Sequence, residues 1–265
     1  MSSAQSPQVP TGALANLLKG EIAVVTGAGR GNGAAIAKGM ALAGARVCVV
    51  DIDREAADQI AREIDPAGEG AIAIGWNIVD PAKGEEAADR IRRSFGAATI
   101  LVNNAGVEAG GKIGDDGFEA SWSRVMDVNL TGTLRAISAL LPDLRANRGS
   151  IVNVTSIQSF ISYQAGTSAY ATSKGALAQL TRSLAADLAE DGIRVNAVAP
   201  GFFETAMTEG TRNDPERMAR FLARTPLQRM GHPNELVGPV VFLSSKLSTY
   251  VTGTILPVDG GLLSC

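Results

Sequence analysis

Ile22-Ala-Val-Val-Thr-Gly-Ala-Gly-Arg-Gly-Asn-Gly33 is the stretch that decides the fold. Its first five residues form an apolar, β-branched run suited to a buried strand. Glycine then recurs at 27, 29, 31 and 33, and small residues continue at helical spacing to Gly44. A glycine-rich turn between a strand and a helix lets the backbone approach an anion closely. The helix N-terminus adds N–H groups that have no partner inside the helix. Gly27, Gly31 and Gly33 have the spacing T-G-x-x-x-G-x-G, and this predicts a pyrophosphate cradle opening an α/β domain.

Outward from this unit, apolar strand-like runs at 21–26, 46–51, 71–77, 99–103, 149–155, 193–198 and 254–258 alternate with helix-like segments at 33–43, 53–64, 81–95, 118–146, 169–190 and 233–245. Parallel strands need such crossovers. The pattern therefore predicts a Rossmann-like α/β fold, a doubly wound parallel sheet of about seven strands with helices on both faces. Residues 1–18, which begin rich in Ser, Gln and Pro, are expected to form a flexible tail, and 19–265 a single domain.

The 265 residues, 45% hydrophobic and 19% charged, suffice for one large core. A net charge of −3, with no Lys/Arg cluster interleaved with aromatics, argues against nucleic acid and against an anionic membrane surface as partners. The apolar runs are strand-sized, well short of the roughly 20 residues a spanning helix needs. The N-terminus lacks a basic start followed by an apolar core, so the cytoplasm is the expected location. Two cysteines, Cys48 inside a strand and Cys265 at the end, support neither a disulfide framework nor a zinc site, and no metal is expected. The only histidine, His232, reads as the start of a helix.

Asp51 ends the second strand, 18 residues past Gly33, where dinucleotide folds place an acid on the adenosine ribose hydroxyls. A carboxylate there would repel a 2′-phosphate. Arg30 could hold that phosphate, stack on adenine or face solvent. Asp51 lies closer to the decisive group, so NAD is the expected cofactor. Strands three and four run into Trp76-Asn77-Ile78 and Asn103-Asn104-Ala-Gly106, at the carboxyl ends where ligands sit in such sheets. The expected cofactor contacts are thus Gly27, Arg30, Gly31, Asn32, Gly33, Asp51, Ile52, Asn77, Ile78, Asn104, Ala105 and Gly106.

Ser168-Ala-Tyr-Ala-Thr-Ser-Lys174 sets a phenol and an ammonium on one helix face. The ammonium is expected to lower the Tyr170 pKa from its reference of about 10, making the phenol a usable proton donor and acceptor. Ser156, at the end of the fifth strand, could hold a substrate oxygen beside it, with Ser159 a weaker rival. Asn129, inside the predicted helix at 118–146, is an amide at a buried position that needs a partner. Pro200-Gly-Phe-Phe-Glu-Thr205 turns the chain back over the same edge, and a flap at about 202–228 could shield the site from water.

Together T-G-x-x-x-G-x-G at 26–33, Asn103-Asn104-Ala-Gly106, Asn129, Ser156, Tyr170-x-x-x-Lys174, Pro200-Gly201 and Asp259-Gly-Gly261 resemble the short-chain dehydrogenase/reductase superfamily over about residues 19–263. The resemblance implies an NAD-binding catalytic domain with a tetrad of Asn129, Ser156, Tyr170 and Lys174. Tyr170 would be the acid/base and Ser156 would orient the substrate oxygen. Lys174 would lower the tyrosine pKa and bind the nicotinamide ribose, and Asn129 would hold a water linking Lys174 to solvent. Pro200, the backbone near Phe203 and the Thr205 hydroxyl would lie against the nicotinamide carboxamide. The family also implies a homotetramer built on the helices at 118–146 and 169–190. The chain departs from the family in three places. Ser156 precedes Tyr170 by 14 residues, one more than usual, Asn77 replaces a frequent acid, and Asn32 replaces a common isoleucine.

The expected function is reversible hydride transfer between NAD(H) and a secondary alcohol or ketone, a small-molecule substrate. Phe160, Tyr163, Phe202, Phe203, Met207 and Phe221 are expected to overhang Tyr170 and to favour a cyclic or bulky apolar substrate. They could instead pack the flap onto the body. Arg212, Arg217, Arg220 and Arg224 could meet an anionic substrate. The alternatives are an NADPH-dependent 3-oxoacyl thioester reductase and, from another class, a non-catalytic dinucleotide-binding regulator.

Overall fold

The structure is a computed structural model in which residues 11–264 are described. Seven parallel strands, β1 (Ile22–Thr26), β2 (Arg46–Asp51), β3 (Ala71–Gly75), β4 (Ile100–Asn103), β5 (Ser150–Val154), β6 (Arg194–Pro200) and β7 (Ile255–Val258), form one sheet. Their order is β3-β2-β1-β4-β5-β6-β7. Strand alternation splits the core into two layers. Ala23, Val25, Val47, Val49 and Val102 face one side, where α2 (Gly31–Leu42), α3 (Arg54–Ile64) and α10 (Val237–Ser244) pack. Ile22, Val24, Cys48, Val50 and Leu101 face the other, against α4 (Gly84–Ser94), α6 (Thr133–Asn147) and the end of α7 (Ser168–Asp187). Cys48 lies wholly within this second layer, where burial pushes its thiol up to about 12 and leaves it inert. Pro257, which cannot donate to a ladder, is tolerated because β7 is an edge strand.

Two expectations change, and those for residues 1–10 of the tail and for the thiol of Cys265 lie outside the described residues. Residues 11–18 are not a tail: Thr11–Leu14 form a short helix, α1. Leu14 and Leu18 are buried in the first layer, and the Leu18 N–H donates to Ala43 O at 2.8 Å. The burial of two leucines four residues apart outweighs the polar composition just before them. The segment 118–146 is not one α-helix. α5 (Phe118–Met126) passes into a π-helical turn, Asp127–Gly132, before α6 begins. Such turns insert a residue and redirect a side chain, and this one turns Asn129 inward.

The strand order reverses between β1 and β4, opening a crevice at their carboxyl ends. Asn104 stitches that edge. Its Nδ2 donates to Thr26 O at 3.1 Å and to Gly27 O at 2.9 Å, and the Thr26 hydroxyl accepts from the N–H groups of Asn104 and Ala105 at 3.1 and 3.2 Å. A second polar chain crosses the sheet. Asn103 Nδ2 donates to Asn153 Oδ1 and Asn153 Nδ2 to Thr181 Oγ1, each at 2.9 Å, tying β4 and β5 to α7 inside the core. No helix among the described residues is long and apolar enough to cross a membrane.

Candidate active site

The loop after β1 is glycine-rich because it has no room for side chains. A Cβ on Gly33 would lie 2.1 Å from Gly27 O, and one on Gly27 2.7 Å from Ala105 Cα, while Gly27 and Gly31 hold φ of 62° and 55°. α2 starts at Gly31 with no side-chain cap, so its first N–H groups remain available to a ligand. Beside this loop lies a cavity of about 740 Å³. It is lined by Gly27, Arg30, Gly31, Asn32, Gly33, Asp51, Ile52, Asn77, Ile78, Asn104, Ala105, Gly106 and Thr205, all among the expected contacts. Trp76, Arg124, Asp127 and Val128 line it too and were not foreseen from the sequence.

Asp51 is buried, its Oδ2 accepting from Gly29 N at 2.9 Å and its Oδ1 from Asp53 N at 3.0 Å. Each oxygen keeps a lone pair for a further donor. Arg30 is exposed at the rim. Asn32 Oδ1 and Trp76 Nε1 are buried without partners at the cavity wall. A cradle that a Cβ would fill, an uncapped helix start and orphaned polar atoms fit a dinucleotide.

Asn32, Asn104, Gly106, Thr205 and Met207 also line a smaller pocket of about 130 Å³, so the two spaces share a wall. Ser156, Tyr170, Lys174, Pro200 and Phe203 line this second pocket. Lys174 is buried, with Nζ donating to Val154 O at 2.8 Å and lying 5.7 Å from the Tyr170 ring centroid. Ser156 caps a short 3₁₀ turn at Ile157–Ser159, its hydroxyl accepting from Gln158 N at 3.1 Å, and it lines this pocket together with the Tyr170 phenol. Ser159 donates to Lys174 O at 2.8 Å and points away from the serine role.

Asn129 reaches neither cavity. Its Oδ1 accepts from Val107 N at 2.8 Å, and its Nδ2 donates to Val107 O at 2.9 Å and Ser173 Oγ at 3.0 Å. The Thr133 hydroxyl donates to its backbone carbonyl. The side chain thereby clamps the loop after Gly106, and its Oδ1 keeps one lone pair for a further donor. A Cβ on Gly106 would come within 3.3 Å of Asn129 Oδ1 and 3.4 Å of Lys174 Nζ. Glycine leaves these two groups their space.

The electrostatics differ from the expectation of a lowered tyrosine pKa. Burial pushes the Tyr170 phenol up to about 12, the Glu108 carboxylate pushes the same way, and the Ser156 hydrogen bond opposes both. Burial also pulls the Lys174 ammonium down to about 8. Desolvation is the largest cause of the shift at both groups.

The flap comprises a 3₁₀ turn at Ala206–Thr208, α8 (Glu209–Arg212) and α9 (Pro215–Leu222). Of the six apolar residues expected over Tyr170, Phe202, Phe203 and Met207 line the pocket. Phe221 is buried, and Tyr163 and Phe202 join it in an aromatic stack with centroids 4.8 and 4.4 Å apart, which packs the flap onto the body. Phe160 faces solvent. Three of the four flap arginines are engaged elsewhere, Arg212 with Thr205 O, Arg217 with Asp214 and Arg224 over the Tyr163 ring, and neither these nor Arg220 line the pocket. His232 accepts from Asn234 N and caps the turn at Pro233–Leu236. Glu108 and Gln158 line the pocket although nothing in their sequence context marks them.

Comparison with known proteins agrees with this geometry. A family model described as enoyl-(acyl carrier protein) reductase matches residues 27–263. 2-(S)-hydroxypropyl-CoM dehydrogenase 3 of Xanthobacter autotrophicus is 37% identical over 94% of the chain and 99% of its own length. Galactitol 2-dehydrogenase of Rhizobium johnstonii is 40% identical over 92% and 95%. The crystal structure of a gluconate 5-dehydrogenase from Burkholderia cenocepacia in complex with NADP and tartrate superposes with a TM-score of 0.89 at 36% identity, covering 96% of this chain and 99% of that one.

Burial of Lys174 has a measurable consequence for stability. In the unfolded chain this lysine keeps its proton up to about pH 10.5, whereas the folded chain gives it up near 8. Folding is therefore penalised in full below pH 8, and the penalty fades as pH rises to 10.5. Lys174→Met is expected to unfold at a higher temperature than the parent at pH 7, by a margin on the order of 1–2 kcal/mol after loss of one hydrogen bond, and to lose that margin toward pH 10.5. Thermal unfolding across this range tests it, and a margin independent of pH would overturn the assignment.

Proposed function

The chain belongs to the short-chain dehydrogenase/reductase superfamily and is an oxidoreductase that binds a nicotinamide dinucleotide and acts on CH–OH groups; from that premise we propose that it uses NAD(H), with Tyr170 as acid/base, on a secondary alcohol or ketone with a cyclic or bulky apolar face. The observation that carries this reading is the phenol of Tyr170 beside Ser156 and Lys174 in a pocket that shares a wall with the larger cavity.

When bound, the nicotinamide supplies the hydride donor or acceptor. The turn from Gly27 to Gly33 and the start of α2 would hold the pyrophosphate. Asp51 would accept from the adenosine ribose, with Ile52, Asn77 and Ile78 beside the adenine. Asn104, Ala105, Gly106, Lys174, Pro200, Phe203 and Thr205 would meet the nicotinamide end. Ser156 holds the substrate oxygen, and Tyr170 gives it a proton in reduction or takes one in oxidation. Near neutral pH Lys174 keeps its proton, and the ammonium steadies the phenolate as it forms. Asn129 acts by fixing the backbone at Val107. Phe202, Phe203 and Met207 offer the apolar wall for the substrate.

The domain begins with α1, ahead of the expected boundary at 19, and the flap at 202–228 covers Tyr170. Two unpaired faces suit self-association as a tetramer. Leu134 is exposed on α6, within the helical region expected to pair, and Phe242, Leu247 and Tyr250 are exposed near edge strand β7. Sedimentation at micromolar concentration should give a species near four times 27.3 kDa, and a monomer would remove this part of the proposal.

Tyr170→Phe is expected to lower turnover at least about 100-fold while NADH binding, read by fluorescence titration, persists. Retention of a tenth of the rate would take the acid/base role from Tyr170. The choice of NAD rests on Asp51, whose carboxylate lines the larger cavity and would repel a 2′-phosphate, although the Burkholderia cenocepacia structure holds NADP. The protein should prefer NADH over NADPH by about tenfold or more in kcat/KM, and Asp51→Ser should narrow the gap. Equal efficiency with both cofactors in the parent would show that Arg30 prevails.

A further inference from the structure

We propose that Glu108 selects the substrate, its carboxylate accepting a hydrogen bond from a hydroxyl next to the reacting carbinol, so that a vicinal diol or polyol is preferred and an acid with a carboxylate at that position is turned away. This rests on Tyr170 marking the reacting carbon, as argued above.

Glu108 lines the pocket that holds Tyr170 and Ser156. Lys174 is the other charged residue on that wall, and its ammonium is directed to Val154 O. No hydrogen bond or ion pair within the described residues engages the Glu108 carboxylate, so its oxygens stay open to a donor in the pocket. Its position is not accidental. Val107, the preceding residue, is gripped at both N–H and C=O by the fully buried amide of Asn129, so the backbone that carries Glu108 is fixed beside the pocket. Glu108 is open to solvent, yet surrounding protein withholds enough water to raise its pKa, and its field reaches the Tyr170 phenol.

Gln158 supports the same reading. Its Oε1 is buried and without a partner on the wall of the same pocket, two residues past Ser156. A side-chain amide can present either acceptor or donors to a second hydroxyl. An anionic substrate finds little here, because none of Arg212, Arg217, Arg220 and Arg224 lines this pocket. The apolar wall accepts a carbon ring or chain. The carboxylate then distinguishes what that skeleton carries beside the carbinol.

The test compares cyclohexanol, vicinal cyclohexanediol and the same ring bearing a carboxylate in place of the second hydroxyl, in the parent, Glu108→Gln and Glu108→Leu. The parent should favour the diol over cyclohexanol by about tenfold or more in kcat/KM, the size of a hydrogen bond to a charged group, and disfavour the acid. In Glu108→Leu the diol-to-cyclohexanol ratio should collapse toward unity, with Glu108→Gln between. Calorimetric titration of diol into the NADH complex, where no oxidation can follow, should show weaker binding to Glu108→Leu than to the parent. A diol preference that survives Glu108→Leu, equal use of diol and cyclohexanol by the parent, or preference for the acid would each overturn the inference while leaving the dehydrogenase reading intact. If no ring alcohol is turned over, that reading loses its support, and the calorimetric comparison alone decides the role of Glu108.

Discussion

A line of buried amides and one hydroxyl, Asn103 to Asn153 to Thr181, sets the position of everything that could do chemistry here. Groups of this kind cost several kcal/mol when buried unpaired, so their hydrogen bonds hold α7 to β4 and β5 in one register. α7 carries Tyr170 and Lys174 at its first two turns, and β5 delivers Ser156 just past its end. Sliding α7 by one residue would break the Thr181 bond and swing the phenol away from the serine. An apolar contact at the same place would tolerate that slide, since dispersion and desolvation are not directional.

The same logic recurs at the crevice. Asn104 and Thr26 lock the carboxyl ends of β4 and β1 together, and the Asn129 amide locks Val107 to the π-helical turn and to α7 through Ser173. The backbone from 103 to 107 is therefore fixed by polar bonds from three directions. Gly106 sits in the middle, where any side chain would press on Asn129 and Lys174. A rigid strip of this kind pre-organises the wall between the cofactor cavity and the reaction pocket.

Stability is given up at the centre of this arrangement. Lys174 is a buried cation whose hydrogen bond goes to a backbone carbonyl rather than to a carboxylate. Tyr170 is held protonated by burial and by Glu108. Neither group is where folding alone would place it. Both are where proton transfer to an oxygen in the pocket would need them, an opposition between stability and function typical of active sites.

The sequence by itself determined the sheet, its crossovers and the phosphate turn. Continuous apolar runs, helical spacing and glycines at a strand-to-helix junction are local signals, and each was legible within a dozen residues of 22–33, 46–51 or 168–174. Much of the larger cavity's lining could also be listed residue by residue, because strands of a parallel sheet present their carboxyl ends together. The tertiary structure alone decided what depends on residues distant in the chain. The partners of Asn129 are at 107 and 173, and the inward turn that brings them together is a π-helical insertion with no periodic signature. The burial of Leu14 and Leu18 depends on a surface completed by α2 and α10. The direction of the Tyr170 shift was misread because four-residue spacing reports proximity to Lys174 but not the desolvation of both groups, nor the carboxylate that the 104–108 loop brings in. Charge–charge proximity can be read along a helix. The dielectric around it is set by the whole fold.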